Sequence, residues 1–105
     1  MSPLYLAARY NHIACVEKLL DKGADINKAK ADGYTPVTGA AFEGHLDVVR
    51  LLVSRGADVN KASPNGVTPL FVAAQNGHND CMKFLLQKGA DPNKSMNGKQ
   101  KKINF

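Results

Sequence analysis

The sequence predicts an all-α solenoid of stacked antiparallel helix pairs, and three observations predict it. Pro3, Pro36 and Pro69 recur every 33 residues, and so do Gly23, Gly56 and Gly89. The triplet Gly-Ala-Asp returns at 23–25, 56–58 and 89–91. Within each period, apolar residues fall at helical spacing in two short runs. A fixed period near 33 marks a supersecondary unit that buries its apolar face only by stacking on copies of itself.

The middle unit, Asp32 to Asn60, shows each element most plainly. Thr35-Pro36 is a helix start, because the hydroxyl can accept from an orphan backbone N–H and proline presets φ for the first helical turn. Val37, Ala40 and Ala41 then fall at i, i+3 and i+4, one face of a short helix whose small residues let neighbours approach closely. Gly44 ends it in the left-handed conformation, and His45 begins the turn into the next. The second helix, about Leu46 to Ser54, is apolar at 46, 48, 49, 51, 52 and 53. Its polar residues Asp47, Arg50 and Ser54 occupy one narrow strip, so this helix is packed on more than one side and should be the best buried of the array. Gly56 stops it, with Arg50 and Arg55 near the negative end of the helix dipole. The segment from Val59 ends in the turn Ser63-Pro64-Asn65-Gly66, which leads to the next Thr-Pro.

The pattern D/N-G-x-T-P-L…A-A…G-H…V-V…L-L…G-A-D-V-N, present at 32–60 and 65–93, resembles the ankyrin repeat. The first unit carries Ser2-Pro3-Leu4, Ala7-Ala8, Asn11-His12, Leu19-Leu20 and Gly23-Ala24-Asp25-Ile26-Asn27 in the same register. The resemblance covers residues 2 to about 96, with repeats at about 1–31, 32–64 and 65–96 and a basic tail or truncated fourth repeat at 97–105. It implies helix pairs standing side by side, with the connecting loops projecting as β-hairpin fingers. Four departures stand out. The histidine usual after Thr-Pro-Leu is replaced by Tyr5, Thr38 and Phe71. Asn11 replaces an inter-helix glycine, a place asparagine tolerates. Gly39 lies inside a helix, at a cost of about 1 kcal/mol relative to alanine. Pro92 replaces the usual β-branched residue of the loop and removes a backbone donor.

Composition limits the function classes. At 105 residues, 44% hydrophobic and 22% charged, the chain has the make-up of one ordered domain. No stretch reaches the ~18–20 apolar residues of a membrane span. The net charge of +5 is concentrated at one end: Lys94, Lys99, Lys101 and Lys102 account for four of it and leave +1 for the repeat body. That distribution argues against a nucleic-acid-tracking face and leaves the tail as a minor anion-binding alternative. The body starts and stops on internal-looking units, which suggests a monomeric stack or one stretch of a longer array.

Constellations that suggest chemistry have structural readings here. His12, His45 and His78 occupy the same place in successive units; packed helices lie ~8–10 Å apart, too far for one ion with bonds of ~2 Å. Cys15 and Cys81 stand two units apart, beyond the ~7 Å limit for a disulfide, and are expected as buried small hydrophobes matching Val48. Asp25, Asp58 and Asp91, each two residues before Asn27, Asn60 or Asn93, are loop-bonding groups rather than an acid–base pair. No phosphate loop, Cys-x-x-Cys or His-Glu-x-x-His occurs, so the sequence implies no catalysis, no cofactor and no small-molecule substrate.

The positions left free by the repeat pattern form the candidate partner surface. By the resemblance they lie on finger tips and the exposed side of first helices. They are Arg9 and Tyr10; Ala31, Asp32, Tyr34, Phe42 and Glu43; and Pro64, Asn65, Val67, Gln75 and Asn76. Tyr10, Tyr34 and Phe42, flanked by Arg9, Asp32 and Glu43, have the make-up of an aromatic anchor with a polar rim. The sequence therefore predicts a non-catalytic intracellular (cytoplasmic or nuclear) protein-interaction module, with a structural spacer as the alternative. By the resemblance, Asn27, Asn60 and Asn93, each eight residues after Leu19, Leu52 or Leu85, are also the kind of asparagine that can be a substrate for asparaginyl hydroxylation.

Overall fold

The computed structural model describes residues 1–94, and all the regular structure in them is helical. Three pairs follow in order: α1 (Pro3–Arg9) and α2 (Ile13–Asp21), α3 (Pro36–Glu43) and α4 (Leu46–Ser54), α5 (Pro69–Gln75) and α6 (Asn79–Gln87). Helices of 7–9 residues are too short to persist alone in water, so their stability comes from packing. Each packs on its pair mate. The first helices form one layer, with α3 between α1 and α5, and the second helices form another, with α4 between α2 and α6.

The helix starts follow the Ser/Thr-Pro signal with one exception. Ser2 Oγ accepts from Tyr5 N–H at 3.1 Å and Thr68 Oγ1 accepts from Phe71 N–H at 3.1 Å. Thr35 does not cap its helix in this way; its hydroxyl pairs with that of Thr38 at 3.0 Å. Both threonines are buried, and in a dry interior two hydroxyls satisfy each other better than either alone could be left. Between the helices, Gly44 and Gly77 have φ of 75° and 74°, and Asn11 holds the same left-handed conformation at 65°.

Three further expectations change. The most deeply buried element is α3, the first helix of the middle unit, which buries all six positions from Pro36 to Ala41. The second helix, α4, buries Val48, Val49 and Leu52, as many residues as α6, because its Asp47–Arg50–Ser54 strip faces solvent. Cys15 is exposed, although Val48 and Cys81 are 0% and 1% exposed. This position faces the preceding unit, and no described residue precedes the first one. Leu6, 40% exposed where Val72 is 1%, is open for the same reason. Finally, no strand occurs among the described residues, so the fingers are not seen as β-hairpins. Each of the two described fingers is a tight turn. In one, Lys30 N–H donates to Tyr34 O at 2.9 Å; in the other, Ser63 N–H donates to Val67 O at 3.0 Å.

The Gly-Ala-Asp loops hold the units in register. Within each loop the Asp carboxylate accepts from the Asn N–H two residues on, at 2.8–3.0 Å. Across units, Asn27 Oδ1 accepts from Asp58 N–H at 3.0 Å and Asn60 Oδ1 from Asp91 N–H at 2.8 Å. These asparagines splice one repeat to the next. Among the described residues no helix is long and apolar enough to cross a membrane. The tail at 97–105 lies outside the described residues.

Candidate functional site

The end of α1, the first finger and the end of α3 converge on one groove. Arg9 on the last turn of α1 reaches across to α3, where its Nε lies 3.1 Å from Glu43 Oε2. Its guanidinium carbon is 5.6 Å from the Tyr10 ring centre and 5.9 Å from that of Phe42, within reach of both π faces. From the finger, Lys30 Nζ lies 2.6 Å from Asp32 Oδ2 and 5.5 Å from the ring centres of both Tyr5 and Tyr34. The other Asp32 oxygen accepts from Tyr34 N–H at 3.0 Å, which fixes the turn that aims Tyr34. Tyr5, Arg9, Lys30, Asp32, Tyr34 and Phe42 line an open pocket of about 220 Å³.

Protonation states in the groove are well set. The hydrogen bond to Glu43 raises the Arg9 pKa, and the bond to Asp32 raises that of Lys30, so both stay cationic. Burial works to raise the Asp32 carboxyl, but its bonds to Lys30 and to Tyr34 N–H outweigh this and hold it below the usual range. Burial raises the Tyr5 phenol, against the opposing pull of Lys30 and Arg9, so it stays protonated.

Of the residues expected at the partner surface, Arg9, Asp32, Tyr34 and Phe42 line this groove, with Glu43 bonded at its edge and Tyr10 beside it, 56% exposed. The third unit contributes none of its expected residues. Val67 is buried, 8% exposed, because the second finger turns it into the stack, where its N–H donates to Ser63 Oγ at 3.1 Å. Asn76 has a framework role: its Nδ2 donates to Phe42 O at 3.0 Å, and the His78 ring meets the same oxygen at 3.0 Å. Asn65 and Gln75 are exposed and line no part of the groove.

Two groove residues escaped sequence reasoning. Tyr5 stands in the sequence only as a departure from the repeat pattern, yet it forms the floor, 2% exposed. The signal for it was Gly39. A Cβ built there would stand 2.9 Å from Tyr5 Cε2 and 3.2 Å from its hydroxyl oxygen, so the glycine that weakens α3 makes room for the phenol. Lys30 belongs to no sequence motif; its place two residues before Asp32, across a tight turn, is the available signal.

One unit further along the stack, the six lining positions are Thr38, Phe42, Ser63, Asn65, Val67 and Gln75. They include no cation and no carboxylate. The groove is therefore not a product of the repeat and occurs once among the described residues. Elsewhere the repeat spacing separates like residues. Among the described residues no three His, Cys, Asp or Glu side chains are placed to hold a metal ion.

A family model described as ankyrin repeats (3 copies) matches residues 4–96. A comparison with curated proteins finds no match.

Proposed function

The chain belongs to the ankyrin repeat family, whose members generally mediate protein–protein interaction and are typically non-enzymatic, and from that premise we propose that its groove is the contact surface for a protein partner. The observation that carries this reading is the unrepeated cluster of Tyr34, Phe42 and Tyr10 around two cations that are each fixed by a carboxylate. Framework residues recur every 33 positions; these do not. Half-buried aromatics with a polar rim are the make-up of binding hot spots. The side chains are already held in place by ion pairs and cation–π contacts, so docking loses little further entropy. The free thiols of Cys15 and Cys81 suit a reducing intracellular setting.

A selection from a random-peptide display library against the immobilised protein tests the reading. Binders selected on the wild type should lose affinity about tenfold or more for the Tyr34→Ala/Phe42→Ala double variant, with the helical circular dichroism unchanged. Equal affinity for both proteins sinks the surface assignment. Failure to select any binder favours a spacer.

A further inference from the structure

Given the reading of the groove as the partner contact, the hydrogen-bonding capacity left inside it specifies what it takes. Asp32 occupies one of the three ammonium hydrogens of Lys30, and Glu43 occupies Nε of Arg9. The two terminal guanidinium nitrogens of Arg9 and the rest of the Lys30 ammonium have no other partner among the described residues. Tyr5 adds a third donor. Its ring is buried, but its hydroxyl pairs with no described residue and is not sealed from solvent, which leaves the phenol tip facing the groove that Tyr5 lines. Three donors thus meet at one small site. Three of its carboxylate oxygens are already engaged: one of Asp32 by Lys30, the other by Tyr34 N–H, and Glu43 Oε2 by Arg9.

We propose that the groove recognises a carboxylate: an aspartate or glutamate side chain of the partner segment, held by Arg9, Lys30 and the Tyr5 hydroxyl, with an adjacent apolar residue on Tyr34 and Phe42. A carboxylate is acceptor-only, has two oxygens, and matches the planar fork of a guanidinium. Its transfer from water is offset because the cations are already partly desolvated by the rings that flank them. The 220 Å³ volume is that of one side chain rather than a folded element. Gly39 supports the assignment, since it is the position at which the fold accepts a weaker helix to admit the phenol that supplies the third donor. The protonated state of Tyr5 and the charged states of Arg9 and Lys30 are those this recognition requires.

The test titrates the protein, 13C-labelled in its tyrosine rings, with the blocked peptide acetyl-Leu-Glu-Leu-amide and with its Gln counterpart. The Glu peptide should shift the Tyr5 and Tyr34 ring signals, bind about tenfold more tightly than the Gln peptide, and weaken as salt is raised. Lys30→Gln should cost about tenfold in affinity for the Glu peptide, and Tyr5→Phe, which keeps the ring and the fold, several-fold; each loss should be smaller for the Gln peptide, whose amide oxygen is the weaker acceptor. Equal binding of the two peptides overturns carboxylate recognition while leaving the groove as a docking site. Absence of ring shifts with either peptide overturns it as well, and so does unchanged Glu-peptide affinity in both variants. Loss of docking altogether would show instead in the display selection, which assumes no acidic ligand.

Discussion

The junction between the first and second units and the junction between the second and third are built on one plan and finished with different chemistry. Both carry the asparagine splice, Asn27 to Asp58 N–H and Asn60 to Asp91 N–H. Beyond that, the first junction is tied by charge: Arg9 to Glu43 and Arg55 to Asp21, at 3.1 and 3.0 Å. The second has no ion pair among the described residues: Asn76 and His78 bond to Phe42 O, Asn60 Nδ2 donates to Gly89 O, and the Arg50 guanidinium lies over the Phe84 ring at 5.1 Å. The difference teaches that the repeat needs only the splice and the apolar contact. What else crosses a junction is free to vary, and here the variation puts two ion pairs and the aromatic groove at the first, and amide and imidazole bonds with one cation–π contact at the second.

The inter-helix turns give the largest contrast. A Cβ at Gly44 would stand 2.5 Å from His78 Nδ1, at a φ of +75°. Gly44→Ala is therefore expected to cost about 2–4 kcal/mol in urea unfolding, from backbone strain and displacement of the His78 ring together. The matching change in the first unit, Asn11→Gly, meets an asparagine already at +65° and should alter stability by about 0.5 kcal/mol or less. Similar costs for the two would show that the second junction does not lean on its turn.

A smaller effect separates the junctions by salt. Arg9 and Glu43 side chains are each about a third exposed, so Glu43→Gln should cost under about 1 kcal/mol at low ionic strength and almost nothing in about 1 M salt. Asn76→Ala should cost about 1 kcal/mol, unchanged by salt, since its bond to Phe42 O is neutral. Urea midpoints at two salt concentrations check both.

The smallest effect is acid dependence. Asp32 is held below its ordinary carboxylate pKa, so the unfolded chain binds its proton first. Its contribution is complete above the ordinary carboxylate range and fades as pH falls through that range to the lower folded value. Asp32→Asn should flatten that limb of the stability–pH curve slightly, with no change near neutrality. An identical acid limb in the variant would show that the finger turn holds Asp32 without stabilising it.

Much of the fold was legible because repetition samples each position three times. Leu46–Ser54 appears as a helix with the bounds its apolar run suggested, and the Asp–Asn loops form the bonds their spacing implied. The errors lie where equivalent positions meet unequal neighbours. Cys15 matches Val48 in sequence yet is covered by no described residue, and Val67 matches Tyr34 yet turns inward. Thr35 matches Thr68 yet bonds to Thr38, because a second hydroxyl stands one helical turn away.

The groove divides in the same way. Arg9, Asp32, Tyr34, Phe42 and Glu43 stood out by breaking the period, and period-breaking is visible in one dimension. Tyr5 and Lys30 break it too, but their importance depends on which rings and charges come within about 5.5 Å of each other in space. The sequence by itself determined the unit, its helices and the direction of stacking, because periodic burial leaves few other ways to hide the apolar faces. Only the tertiary structure decided that two cations, two carboxylates and four aromatic rings gather at the first junction and nowhere else among the described residues. Short-range patterns specify elements, whereas a site is made by residues from separate elements meeting at a distance that no spacing along the chain encodes.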